Sequence, residues 1–147
     1  MITDTLFRIP MLRAAEAKAA ARQAPVYLYN FTWRAPVDGR IWGSPHAIDI
    51  PFAFGTTDKA TMMTGSGAEV VEVSRNLMAA FVAFARTGDP NNRRMPDWKP
   101  FDGERRATMT IDVDCKAVED YLGNDRRAGS ELQPDPFNRA ALVTYTD

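Results

Sequence analysis

The sequence predicts an α/β fold in which a few strands are flanked by helices. Three observations predict it. The run Val26-Tyr27-Leu28-Tyr29-Asn30-Phe31-Thr32-Trp33 is rich in β-branched and aromatic residues and is largely apolar on both faces. Residues 68–86 repeat apolar side chains near helical spacing. Residues 106–113 alternate between apolar and polar side chains, the period of a strand.

Each element follows from its own residues. Residues 4–23 read as a helix that Thr3 or Asp4 can cap, because a short oxygen-bearing side chain accepts from free N–H groups of the first turn. Leu6, Phe7, Met11 and Leu12 supply its apolar stripe, and the alanine-rich run 13–21 has high helix propensity. Pro10 predicts a kink there, or two abutting helices. Pro25 ends the helix, and the first strand follows. Val26 and Leu28 take one face, and Tyr27, Tyr29, Phe31 and Trp33 take the other. Such a strand is expected to be buried on both sides, in a sheet covered by helices. Residues 34–43 form a loop, with Pro36 and an Asp38-Gly39 turn signal.

After the Gly65-Ser66-Gly67 break comes the longest helix, 68–86. Val70, Val73, Leu77, Phe81 and Phe84 line its core stripe, and Val71, Met78 and Val82 widen it. Glu69, Glu72, Arg75 and Asn76 mark the wetter face. Gly88 suits a left-handed stop, and Pro90 forbids continuation. Residues 91–103 form a polar loop anchored by Trp98 and Phe101. In 106–113, Met109, Ile111 and Val113 oppose Thr108, Thr110 and Asp112, which predicts one wet face and a place near a sheet edge. Residues 116–122 read as a short helix. From 123 to 147 charge and the prolines Pro134 and Pro136 dominate, so this stretch is expected to be a weakly ordered tail. Arg93-Arg94 and Arg126-Arg127 read as solvated charge.

The length fits one domain, and the formal net charge of -1 gives no basis for a nucleic-acid partner. A single cysteine, Cys115, excludes an internal disulfide and a cysteine-built zinc site. It fits a reducing compartment and favours the cytoplasm without fixing it. The first residues lack a basic segment followed by an apolar run, so no signal peptide is expected. No stretch has the length and apolarity of a membrane span.

The chemistry centres on His46, the only histidine. Pro45 and Pro51 flank it and deny it a regular helix. It therefore sits on a loop just past a strand, where α/β proteins place their reactive groups. Imidazole suits proton transfer because its unperturbed pKa lies near neutrality. Ser44 reads as a turn residue, and Asp49 as a carboxylate that fixes the loop by hydrogen bonds.

Three segments in register carry a resemblance. They are Pro45-His46-Ala47-Ile48-Asp49-Ile50-Pro51-Phe52-Ala53-Phe54-Gly55, then Phe84-Ala85-Arg86-Thr87-Gly88-Asp89-Pro90-Asn91, then Trp98-Lys99-Pro100-Phe101-Asp102 with Arg106-Ala107-Thr108-Met109. Together they resemble the C-terminal part of the type-B carboxylesterases, the α/β-hydrolase family that includes the cholinesterases. The resemblance implies that residues 1–122 are the C-terminal portion of an α/β-hydrolase domain with an incomplete sheet. It implies that His46 is the catalytic histidine of a Ser-Glu-His triad, in a serine esterase acting on small carboxylic esters with no metal or organic cofactor.

The sequence also departs from the family pattern. No Gly-x-Ser-x-Gly elbow is present, and Ser66 follows the histidine, the reverse of the family order. The oxyanion-hole segment and the upstream acid are absent too. Ala47 stands where a glycine usually follows the histidine. The chain alone is therefore expected to be inactive, its serine and acid lying outside it. The alternative is a catalytically inactive family remnant acting as a protein-interaction module. In either case an open sheet predicts self-association or low solubility unless another chain completes it.

Overall fold

A computed structural model of the chain describes residues 7–130. Helix α1 spans Ile9–Ala20, with Pro10 in its first turn. There the missing proline N–H removes no intrahelical bond, so Pro10 opens the described helix and does not kink it. The capping residues Thr3 and Asp4 lie outside the described residues.

Three strands make one sheet in the order β1-β2-β3: Leu28–Phe31, Thr108–Ile111 and Lys116–Val118. β1 runs parallel to β2, pairing Tyr29 with Met109 and Phe31 with Ile111. β3 returns antiparallel, pairing Thr108 with Val118 and Thr110 with Lys116. Lys116–Val118 is thus a strand where a helix was expected. The preceding turn is closed by Asp112, whose carboxylate accepts from the Val113 N–H at 2.8 Å and whose carbonyl accepts from Cys115 Sγ at 3.4 Å.

This arrangement reverses the expected roles of the first two strands. β2 is central and buried along its whole length. Thr108 and Thr110 do not mark a wet face, because their hydroxyls donate to the carbonyls of Arg106 and Lys116 at 3.1 and 3.2 Å. A buried threonine so satisfied costs little. β1, expected to be buried on both faces, is half-buried at every residue. Among the described residues it has a neighbour on one side only.

Two short helices, α2 at Asp49–Ala53 and α3 at Thr61–Thr64, precede helix α4, Ala68–Thr87, and the core lies between the sheet and α4. Val73, Leu77 and Ala80 of α4 meet Met109 and Ile111 of the sheet, with Trp33, Phe52 and Trp98 filling the ends. Asn76 belongs to this buried face, not to the wet one. Its Nδ2 donates to the carbonyls of Asp112 and Val113, both at 3.2 Å, and its Oδ1 accepts from Arg94 Nε at 3.2 Å. Arg94 also reaches Glu72 at 2.5 Å, so it is an anchored group and not solvated charge. The far end of the expected stripe stays half-exposed. Phe81 stands edge-on to Tyr29, and Phe84 edge-on to Tyr27, along the side of β1.

The Thr-Gly-Asp-Pro-Asn run after α4 is a helix stop joined to a clamp. Gly88 takes a left-handed φ of 76° and its N–H donates to the Phe84 carbonyl at 2.8 Å. Asn91 then grips the backbone of Trp98, accepting from its N–H at 2.7 Å and donating to its carbonyl at 2.9 Å. Trp98 is buried with its ring edge-on to Tyr27.

Residues Gly123–Ser130 form helix α5 where weak order was expected. Arg126 ties it back, donating to both carboxylate oxygens of Asp120 at 2.8 and 3.1 Å. That hydrogen bond holds the Asp120 carboxyl below its usual range. The rest of the expected tail, 131–147, lies outside the described residues. Among the described residues no helix is long and apolar enough to cross a membrane.

Candidate active site

Beyond β1 the chain turns through a 3-10 segment, Val37–Arg40, built on the Asp38-Gly39 turn. It comes back to the end of the strand at Gly43, whose carbonyl accepts from the Ala35 N–H at 2.9 Å. Ser44 Oγ donates to the Trp33 carbonyl, which makes it the turn residue its spacing suggests.

The histidine sits at the corner of the next turn. Ile48 N–H donates to the Pro45 carbonyl at 3.2 Å, which encloses His46 and Ala47 in a four-residue β-turn. A side chain at such a corner points away from the backbone it caps, and His46 is exposed. Short helix α2, Asp49–Ala53, follows at once. It is pinned by Ile48 and Phe52, which are 2% and 0% exposed. The Phe52 ring packs against Phe31 and Trp33 at 5.0 and 6.2 Å, and Ser74 Oγ of α4 donates to its carbonyl at 2.8 Å. A mobile-looking loop is therefore bolted to both β1 and α4.

Ala47 has φ +65°, the left-handed region where an L-residue is strained by about 1–2 kcal/mol. It occupies the third turn position, which favours glycine when φ is positive. Ala47→Gly should raise stability by about 0.5–1 kcal/mol, the relief of strain less the extra backbone entropy of glycine. A denaturant midpoint that does not rise would contradict this.

Asp49 is not turned toward a histidine partner. Its Oδ2 accepts from the Tyr29 hydroxyl at 2.9 Å, so it fastens the start of α2 to β1. Burial first, then the charge of Asp49 and this hydrogen bond, push the Tyr29 phenol well above the ordinary tyrosine range. The folded state thus holds the phenol proton more tightly than the unfolded chain does. The linked stability is complete below the unfolded value of about 10 and is lost as pH rises through the folded value. Tyr29→Phe should flatten the alkaline limb of a stability–pH profile above that point. An unchanged alkaline slope would contradict the linkage.

Among the described residues the imidazole has no hydrogen bond or ion pair. It does have a ring partner that sequence spacing could not reveal. Phe7, just ahead of α1, stacks on His46 with ring centroids 4.8 Å apart and planes 25° from parallel. Neither Ser44 nor Ser66 is hydrogen-bonded to the histidine. An open cavity of about 620 Å³ lies elsewhere, between the end of α1 and the loop at Phe101 and Asp102. His46 does not line it.

Comparison with known proteins decides the family. The model of the carboxylesterase family matches residues 1–128. This chain belongs to the carboxylesterase family. The para-nitrobenzyl esterase of Bacillus subtilis is 32% identical over 131 residues, which is 86% of this chain and 26% of that protein. The phenmedipham hydrolase of Pseudarthrobacter oxydans is 32% identical over 115 residues, 76% of this chain and 23% of the relative. Among solved structures, an esterase from Clostridium hathewayi that can hydrolyse aliphatic aromatic polyesters superimposes with a TM-score of 0.79 at 28% identity. The match covers 88% of this chain and 25% of that one. A carboxylesterase of Geobacillus stearothermophilus matches with a TM-score of 0.72 at 31% identity over 87% of this chain and 26% of its own. This chain is therefore a portion of an α/β-hydrolase fold, spanning about a quarter of the length of these relatives.

Proposed function

We propose that this chain supplies the catalytic histidine, His46, of a serine carboxylic-ester hydrolase whose serine and acid lie outside it. The observation that carries this reading is the family motif of residues 45–55, in which His46 holds the histidine position, and the placement of His46 is compatible with it. His46 is the only histidine, it stands exposed at a turn corner beyond a strand end, and no hydrogen bond among the described residues engages it. In acyl transfer a neutral imidazole takes the proton of the serine hydroxyl as the oxygen attacks the ester carbonyl. It returns that proton to the departing alcohol, then repeats the cycle with water to free the acid. The substrate in this reading is a small carboxylic ester. A histidine without nucleophile or oxyanion hole leaves little catalysis, so the isolated chain is inactive.

The side of β1 that has no neighbour among the described residues supports a second element of the proposal. Unpaired strand edges invite another strand, and Phe81 and Phe84 expose apolar surface beside this one. In the enzyme reading the remainder of the hydrolase sheet closes that edge. The same edge favours the competing reading, an inactive remnant that binds a protein partner or a second copy.

A graft separates the two. This chain replaces the matching quarter of the para-nitrobenzyl esterase, and hydrolysis of a short-chain chromogenic ester is followed. The enzyme reading predicts activity in the graft and none above background in the isolated chain. A folded, inactive graft would favour the interaction module.

A further inference from the structure

We propose that Phe7 is a positioning residue for His46, its ring lying on the imidazole and setting the plane in which the base works. This rests on the reading of His46 as the general base. The geometry is the near-parallel stack at 4.8 Å, an arrangement in which an aromatic pair gains attraction beyond simple burial.

The turn fixes the backbone of His46 and leaves the ring free to rotate. The terminal torsion of histidine is broad, so nothing in the turn itself selects a ring plane. No hydrogen bond among the described residues selects one either. The Phe7 ring supplies a restraint of its own, beside that of the triad acid outside this chain, and it comes from a separately anchored element. Ile9 of α1 is buried, and Arg8 Nη1 donates to the Leu122 carbonyl at 3.4 Å. Phe7 itself is 47% exposed, so it contributes little to the core. A phenyl face also favours a cation above it. The imidazolium that forms during proton transfer would gain from the stack, and the neutral ring would be held for the next cycle.

Because the chain has one histidine, its Hε1 and Hδ2 protons give a single pair of signals in the NMR spectrum of the full chain. The expected spectrum shows both displaced upfield by the Phe7 ring current. Phe7→Leu returns them to the free-histidine position, and Phe7→Tyr keeps them displaced. Tryptophan fluorescence confirms that each variant is folded. Undisplaced signals in the folded parent would overturn the proposal, and so would signals that stay put in folded Phe7→Leu. In the active graft, Phe7→Leu should lower kcat by about tenfold with KM near the parent value, and Phe7→Tyr should restore it. An unchanged kcat would overturn the positioning role. A graft whose His46→Ala variant stays active would instead remove the general-base reading, whatever the ring shift shows.

Discussion

His46→Ala in the grafted esterase should lower kcat by about 10⁶-fold while leaving KM within a small factor of the parent. The asymmetry follows from what the residue does. A general base acts on the proton in flight, so its loss is felt in the transition state and hardly in substrate binding. The fold should be indifferent to the change. His46 is exposed at a turn corner, and the turn closes through Pro45 and Ile48. A parent-like denaturation midpoint together with the kinetic loss would separate chemistry from folding. A drop in stability that matches the loss of rate would assign the effect to folding.

Phe52→Ala should destabilise the chain by about 3–5 kcal/mol. The side chain is fully buried and touches the rings of Phe31 and Trp33. Its removal leaves a cavity at the meeting point of α2, β1 and α4, where neighbouring rings have little room to collapse. The same residue holds the end of the loop that carries His46, so the loop should loosen along with the core. Urea titration followed by tryptophan fluorescence measures the first effect. A loss under about 1 kcal/mol would mean that the site repacks or that Phe52 is not in the core.

The parts of the fold that rest on strong periodicity were legible in the sequence. Helix α4 ends at Thr87, and Gly88 takes the left-handed stop that its position predicts. The loop position of His46 follows from Pro45, whose carbonyl closes the turn, whereas Pro51 does not exclude a helix but lies in the first turn of α2. Three of the differences share a physical cause, which is that polarity does not imply exposure. Thr108, Thr110 and Asn76 are polar and buried, because each finds a backbone carbonyl within 3.2 Å. Only the three-dimensional pairing reveals those partners. β1 departs from expectation for the opposite reason, since aromatic residues on both faces predict burial, yet among the described residues the strand is half-buried with a neighbour on one side only. Lys116–Val118 is too short for a period of two to declare itself. The stack of Phe7 on His46 joins residues from opposite sides of β1, and no local pattern could signal it. The catalytic reading of His46 came from the family motif, since one histidine in a loop carries no such message unaided.

The most direct measurement is the hydrolysis rate of the His46→Ala graft with and without added imidazole. The account predicts a rate near background that rises when imidazole fills the vacated space and takes over the proton transfer. A folded variant that hydrolyses the ester at the parent rate without imidazole would contradict it.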